Sequence, residues 1–414
     1  MSVDAEQLFL GRQPILDREQ RLYAYELLFR SGSQDNTATV TDGVAATATV
    51  IANAFAELGV EAALGNCRGF INVDQEFLFS DMLELLPRHT VVLEILETVK
   101  PTPAVIDRCR ALKAGGFALA LDDVVEFTPE YDELLTLVDI IKIDIQALSR
   151  VQLMQLTLQL RPKGKTLLAE KVDSREQMEQ CLQLGFSLFQ GYFFARPTII
   201  AGRRLDHSQL SLMKLMGLLL ADADTGKIEA ALKSEPGLTV NLLRMSNSVA
   251  GGMTGHVSSL NQAITLLGRR QLQRWLQLLL FASGKPNTDN NALLLMAATR
   301  GRLMELLAEE IRPGDASFAD QAFMVGIMSL MPALVGLPIR DIVTPLPIAD
   351  SVKAALCDGH GILAKLLGIT VCSESGDLTG LAEQLAQQPA LGAKALNRAQ
   401  TAALAWAGTL ASEK

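Results

Sequence analysis

The chain has 414 residues, with 37 Lys and Arg against 46 Asp and Glu for a formal charge of −9, and it is 49% hydrophobic and only 20% charged. That length exceeds one ordinary domain, and so much apolar sequence excludes a disordered chain and predicts two packed domains. The net acidity excludes a general nucleic-acid polymer binder. No apolar stretch approaches the ~18 residues of a membrane span, and Met1 to Gln7 lacks the basic flank and apolar core of a signal peptide, so a cytoplasmic protein is expected.

Residues 8 to about 198 alternate short β-rich runs with helical stretches. The β-runs are Phe9 to Leu16, Leu22 to Phe29, Gly69 to Val73, Thr90 to Leu96, Phe117 to Asp122, Val138 to Ile143, Thr166 to Glu170 and Ser187 to Gln190. Several are apolar nearly throughout, as strands buried on both faces should be. Helical periodicity fills most of the gaps, for example Ala104 to Ala114 and Arg175 to Leu184, and strand-then-helix units build a parallel sheet. Only Asp17 to Arg21 separates the first two runs, which suits a hairpin. About eight strands with one antiparallel are expected, an α/β barrel of the TIM-like kind.

Past Arg196-Pro197 the chain turns Leu-, Ala- and Met-rich with a 3.6-residue period and no convincing strand. Helices are expected over Gln209 to Ala221, Lys227 to Lys233, Leu238 to Asn247, Ser259 to Leu267, Arg270 to Phe281, Asn291 to Glu310, Phe318 to Val335, Val352 to Gly359 and Leu378 to Gln387. Breakers such as Glu235-Pro236-Gly237, Gly251-Gly252, Gly284-Lys285-Pro286-Asn287 and Arg312-Pro313-Gly314-Asp315 separate them. The domains are set at 1–202 and 203–414. The short junction from Thr198 to Ser208 favours close contact over a free tether.

Five cysteines (Cys67, Cys109, Cys181, Cys357, Cys372), odd in number and never paired as CxxC, read as reduced thiols rather than a disulfide framework or zinc cage. His207, His256 and His360 have no second ligand at helical spacing and read as ordinary core or surface histidines. Asn247 and Ser248 read as a helix cap. Met324, Met328 and Met331 form a stripe that fits core better than a partner groove.

Reactive groups of a βα barrel project from the C-terminal strand ends. The polar residues ending the β-runs are Glu26, Asn72, Glu94, Asp122 with Asp123, Lys142 with Asp144, Glu170 and Gln190, separated by 46, 22, 28, 20, 28 and 20 residues. Each step after the first is about one βα unit, so these groups converge on one mouth. Carboxylates that close cannot all stay ionised without cations, and oxygen-only ligands favour Mg²⁺ or Mn²⁺. Metal-assisted phosphoester hydrolysis or phosphate binding follows.

These residues also carry a resemblance. Gln13-Pro14-Ile15, Glu26-Leu27-Leu28-Phe29-Arg30, Ile71-Asn72-Val73, Leu93-Glu94-Ile95-Leu96-Glu97, Leu121-Asp122-Asp123, Ile141-Lys142-Ile143-Asp144, Ala169-Glu170 and Gln190-Gly191-Tyr192-Phe193-Phe194 resemble, in order, the motifs of an EAL domain, the barrel that binds and hydrolyses cyclic di-GMP. The resemblance implies Glu26, Asn72, Glu94, Asp122, Asp123 and Glu170 as ligands of two metal ions. It implies catalytic roles for Glu26, Lys142, Glu170 and Gln190, with Lys142 activating the attacking water and Gln190 orienting water or ligand, and nucleotide contacts from Gln13, Arg30 and Asp173.

Two departures stand out. The family's glycine-containing loop after Asp-Asp is Val124-Val125-Glu126-Phe127 here, with no glycine and two stiff β-branched residues. The family's Ala-Glu-Gly-Val-Glu is Ala169-Glu170-Lys171-Val172-Asp173, which sets a cation beside a metal ligand. Ligands kept and loop altered is the pattern of a barrel that binds while hydrolysing poorly.

The second half resembles an HDOD domain, through Ala231 to Leu238, Leu242-Leu243-Arg244-Met245-Ser246-Asn247-Ser248, Gln262 to Gly268 and Ala322 to Met328. Ser329-Leu330 stands where an active HD enzyme has His-Asp, so this HD-like all-α domain is expected to hold no metal and to act by protein contact. The pairing implies a bacterial signalling protein whose degenerate barrel senses cyclic di-GMP or holds a partner while the helical domain relays its state to an unidentified signalling protein. An active two-metal phosphodiesterase and a nucleotide-free scaffold are the alternatives, and a homodimer through the altered loop stays open.

Overall fold

The computed structural model describes residues 8–31, 64, 67–126, 128–195, 207–233, 242, 259–282 and 289–412. The chain divides into two compact units, one of Met1–Arg196, Glu309–Pro313 and Gly368–Lys414, the other of Pro197–Ala308 and Gly314–Leu367. The helix expected over Leu238 to Asn247 (apart from Leu242), the Asn247-Ser248 cap, His256, the breakers at 235–237, 251–252 and 284–287, and most of the Thr198–Ser208 junction lie outside the described residues.

The first unit contains a closed barrel whose eight strands follow chain order. They are β1 (Leu8–Asp17), β2 (Leu22–Ser31), β3 (Arg68–Val73), β4 (Val91–Ile95), β5 (Ala118–Leu121), β6 (Ile140–Asp144), β7 (Thr166–Glu170) and β8 (Leu188–Gln190). Each expected β-run is a strand. β1 runs antiparallel to both β2 and β8, and the remaining neighbours are parallel. The β1–β2 turn is held by Asp17, whose Oδ1 accepts the N–H groups of Glu19 (2.9 Å) and Arg21 (2.8 Å), an Asx-type turn.

Between the strands lie α1 (Gln75–Leu78), α2 (Pro103–Ala114), α3 (Asp132–Leu137), α4 (Arg150–Leu160) and α5 (Arg175–Leu184). α4 and α5 start with full capping boxes, Ser149 with Gln152 and Ser174 with Gln177. The barrel interior is a packed layer with one residue from every strand: Ile15, Ala24, Phe70, Val92, Ala120, Ile140, Leu168 and Leu188. Branched and small apolar side chains filling the lumen make this a core, not a pore.

The other unit is helical: α6 (His207–Leu220), α7 (Thr225–Lys233), α8 (Leu260–Ala282), α9 (Asp289–Ile311), α10 (Ala316–Met328), α11 (Met331–Val335), α12 (Ile339–Val343) and α13 (Asp350–Asp358), with the end of α9 assigned to the first unit. The break expected after Leu267 is a kink at Gly268 (φ 72°, ψ 161°) inside α8. The single helix expected over Phe318 to Val335 is two, because Pro332 lacks the N–H that would continue the first and instead opens α11. α9 and α10 touch backbone to backbone: a Cβ on Gly326 would lie 2.8 Å from Gly301 Cα. Met324, Met328 and Met331 are buried in this core.

One expectation is corrected here. Ala316–Val335, 20 residues with mean hydropathy 1.5, is long and apolar enough to cross a membrane, and 72% of that window is buried among the protein's own residues. Two consecutive helices packed mostly inside the protein have little need of a polar face, so their joint composition converges on that of a span.

Three further helices complete the chain: α14 (Ile362–Ser375), α15 (Leu378–Ala386) and α16 (Ala393–Ser412). From Gly368 onward this segment is compact with the barrel, and α16 packs against β1. All five cysteines are free thiols.

Candidate active site

In a strand, side chains two residues apart share a face. Two residues beyond the apolar layer toward the mouth therefore comes the next inward-facing set. From Ala24, Phe70, Val92, Ala120, Ile140, Leu168 and Leu188 that step reaches Glu26, Asn72, Glu94, Asp122, Lys142, Glu170 and Gln190. On antiparallel β1 the same step runs backward, from Ile15 to Gln13. Eight strands thus place eight polar side chains directly above a ring of eight apolar ones.

Lys142 is the centre of this layer. Its side chain is 1% exposed, and its Nζ lies 2.9 Å from Glu170 Oε1, 3.3 Å from Asp122 Oδ1, 3.4 Å from Glu26 Oε2 and in contact with Glu94 Oε1. Burial opposes the lysine's charge, yet the carboxylates of Glu94, Glu26, Glu170 and Asp122 outweigh it and raise its pKa well above the usual value. Gln190 Nε2 donates to Glu26 Oε2 (2.6 Å) and to Gln13 Oε1 (2.6 Å), and Asn72 Nδ2 lies 3.5 Å from Glu26 Oε1.

The charge around this lysine does not close. Four carboxylates face one ammonium, a formal −3 if all ionise. Burial first, then the other carboxylates, raises the pKa of Glu94 well above normal, against the opposing pull of Lys142. Glu170 is pushed up to about 7, chiefly by burial. Among the described residues, buried Glu94 Oε2, Asn72 Oδ1 and Gln190 Oε1 have no hydrogen-bond partner, and Asp122 Oδ1 has the 3.3 Å ion contact with Lys142 but no hydrogen bond. Unmatched oxygens with excess negative charge are the donor set of a hard divalent cation. A second group stands beside it: carboxylate oxygens of Glu97, Asp122 and Asp123 all lie within 4.8 Å of one another. Burial and the neighbouring Asp122 raise the pKa of Asp123, whose backbone sits at φ 44°.

Of the site residues expected from sequence, the structure gathers Gln13, Glu26, Asn72, Glu94, Asp122, Lys142, Glu170 and Gln190 into one layer. Asp123 joins Glu97 rather than the lysine. Asp173 accepts from Gln146 Nε2 (2.7 Å) and is absent from the groups around Lys142. Arg30 pairs with Phe9 in the β1–β2 register, and its side chain lies outside the described residues. Sequence reasoning did not single out Glu97, which lies two residues beyond β4 and comes within 4.8 Å of the Asp122 and Asp123 carboxylates.

The two departures have clear local consequences. Lys171 takes φ 53°, the left-handed conformation that a glycine adopts freely, and its Nζ pairs with Asp144 rather than with Glu170. That pairing raises the pKa of Lys171. After Asp123 the loop is pinned by Val124, which is buried and donates its N–H to Lys142 O (3.1 Å), while Val125 is exposed. In the helical unit, Ser329 donates to Gly326 O (2.7 Å) and accepts from Arg300 Nη1 (2.8 Å), so the position of an HD pair is occupied by a helix-end hydroxyl.

Residues 1–197 match the EAL domain family and residues 210–339 the HDOD domain family. YuxH of Bacillus subtilis (strain 168) is 33% identical over 378 residues, 89% of this chain and 91% of that protein. The cyclic di-GMP phosphodiesterase CdgJ of Vibrio cholerae serotype O1 is 31% identical over 379 residues, 90% of this chain and 86% of that one. The solved manganese and cyclic di-GMP complex of Klebsiella pneumoniae BlrP1 is 24% identical with a TM-score of 0.39, covering 46% of this chain and 56% of that chain, little more than half its length. The chain belongs to the EAL–HDOD family of signalling proteins, related to cyclic di-GMP phosphodiesterases.

Proposed function

We propose that the barrel mouth binds cyclic di-GMP together with Mg²⁺ or Mn²⁺ and opens it to the linear dinucleotide slowly, so that the protein works chiefly as a cytoplasmic sensor of the nucleotide. The observation that carries this is the unclosed charge around Lys142. Four carboxylates around one ammonium, with the oxygens Glu94 Oε2, Asn72 Oδ1 and Gln190 Oε1 lacking hydrogen-bond partners among the described residues, form above the apolar ring a polar cup that a divalent cation and a phosphodiester would complete. Glu26, Asn72, Glu94, Asp122 and Glu170 would hold one ion, and Asp122, Asp123 and Glu97 a second. Bound there, such ions lower the pKa of water and offset charge on a phosphoryl oxygen.

The chain's own residues set the rest. Gln190 fixes the rotamers of Glu26 and Gln13 through its two hydrogen bonds. Lys142 supplies a protein cation at the centre of the layer that the developing phosphorane charge would meet. The pinned Val124 and the Lys171–Asp144 pair support the slow turnover, because both stiffen loops flanking the ligands. The helical unit is proposed to relay the nucleotide-bound state to a protein partner, without metal of its own.

The test is incubation of the purified protein with cyclic di-GMP and Mn²⁺, followed by chromatography over hours. A linear product that appears slowly and vanishes in Glu26→Ala is the expected result. Nucleotide binding that survives Glu26→Ala unchanged would put the site elsewhere.

A further inference from the structure

The C-terminal segment that packs with the barrel ends one of its helices on the candidate site. α14 stops at Ser375; Gly376 follows at φ 72°, and Asp377 N–H returns to Cys372 O (3.0 Å) in a Schellman closure. This closure leaves the Ser375 carbonyl projecting from the helix end. Gln13 Nε2 donates to it at 2.7 Å.

That hydrogen bond reaches directly into the polar layer. Gln13 Oε1 accepts from Gln190 Nε2, which also donates to Glu26, so Ser375, Gln13, Gln190 and Glu26 form one continuous chain. Beside it, Tyr192, two residues beyond β8, donates its hydroxyl to Glu374 Oε2 at 3.2 Å. The turn sits tightly against the barrel, since a Cβ on Gly376 would come within 2.9 Å of Leu28 Cδ1 and 3.0 Å of Gln13 Nε2.

We propose that the Glu374–Ser375–Gly376 turn is a built-in competitor of the cyclic dinucleotide at Gln13 and must withdraw before the nucleotide binds. This rests on the reading of the mouth as a cyclic di-GMP site with Gln13 at its edge. The chemistry of competition is direct. One of the two Gln13 amide N–H groups is given to Ser375 and its carbonyl to Gln190, so a ligand that takes that same N–H or the space the turn fills must break the bond to Ser375. The turn is also electrostatically hostile to a dianionic dinucleotide, because it presents the negative end of a helix and the Glu374 carboxylate. With the turn closed, the measured affinity is the intrinsic affinity scaled by the fraction open, and two hydrogen bonds make that fraction about one in ten.

The test is calorimetric titration of cyclic di-GMP, with Ca²⁺ replacing the catalytic ions, into the full chain and two variants. Gly376→Val adds a clashing branched side chain at a positive-φ position and dislodges the turn; Glu374→Gln removes its charge. The expected result is binding about tenfold tighter for Gly376→Val and a smaller gain for Glu374→Gln. Wild-type binding with equal or weaker binding by a folded Gly376→Val overturns the competitor while leaving the cyclic di-GMP site in place. Absence of binding in all three overturns the site and the competitor together. Hydrogen exchange on the unmodified chain guards against a misfolded variant: amides around Gly376 are expected to exchange faster when cyclic di-GMP saturates the protein, and unchanged or slower exchange contradicts the proposal.

Discussion

The barrel and the helical unit each gather charged side chains from several elements, and the two clusters close their charge differently. In the helical unit, buried Glu305 receives Arg302 Nη1 at 2.6 Å, Arg270 Nη2 at 3.5 Å and a contact from Arg274, while Asp320 receives Arg270 Nε at 2.6 Å and Arg274 Nη2 at 2.8 Å. Three guanidiniums meet two carboxylates, and Arg274 also stacks 4.6 Å over Phe323. Around Lys142, among the described residues, four carboxylates share a single cation, and Glu94 Oε2, Asn72 Oδ1 and Gln190 Oε1 lack hydrogen-bond partners. A cluster that satisfies its anions is structure; one that leaves them short of positive charge is prepared for something that arrives from solution.

That contrast can be broken by removing its centres. Lys142→Met takes the one cation paired, among the described residues, with three buried carboxylates and half-buried Asp122, and chemical denaturation in chelator should show a loss of about 3–5 kcal/mol, largely regained when Mn²⁺ is added. Stability that does not respond to Mn²⁺ would make the layer a structural network like its helical counterpart. Glu305→Ala strands three guanidiniums that still reach partial solvent, Arg270 and Arg274 also keeping Asp320, so a smaller loss of about 1–3 kcal/mol is expected, with no recovery in Mn²⁺.

The pH dependence sharpens the comparison. Glu170 is pushed up to about 7 in the metal-free protein and must be ionised to ligate. Bound protons oppose metal below that pH, so Mn²⁺ affinity should rise at least about tenfold per unit as pH climbs toward about 7, with the raised Glu94 adding to the slope. Calorimetry at several pH values reads this slope, and a flat profile would remove Glu170 from the ligand set. The smallest effect belongs to Lys171→Gly. It relieves a positive φ while losing the ion pair between exposed Lys171 and buried Asp144, and the two offset to within about 1 kcal/mol in thermal unfolding.

Most of the barrel was legible because buried parallel strands are short apolar runs, and the period of two then fixes which residue of each end faces inward. Gln13 is the instructive case: it precedes its apolar partner Ile15, because β1 runs the other way. The helix α14 escaped notice for local reasons. Ile362–Ser375 carries Gly368, Thr370, Ser373 and Ser375, all weak helix formers. The bond from Gln13 to Ser375 spans 362 positions. No local pattern encodes a contact that long, since packing of the whole segment against β1 decides it. Lys171 was read as a neighbour of Glu170; along the strand it is, but its left-handed backbone turns the side chain to Asp144.

The most direct test of the unclosed charge is calorimetric titration of Mn²⁺ into metal-free protein at neutral pH, with Glu26→Ala alongside. Saturable binding by the wild type that is lost or strongly weakened in the variant is the predicted result. A wild type that takes up no Mn²⁺ would contradict the account, because the four carboxylates would then be content with Lys142 alone.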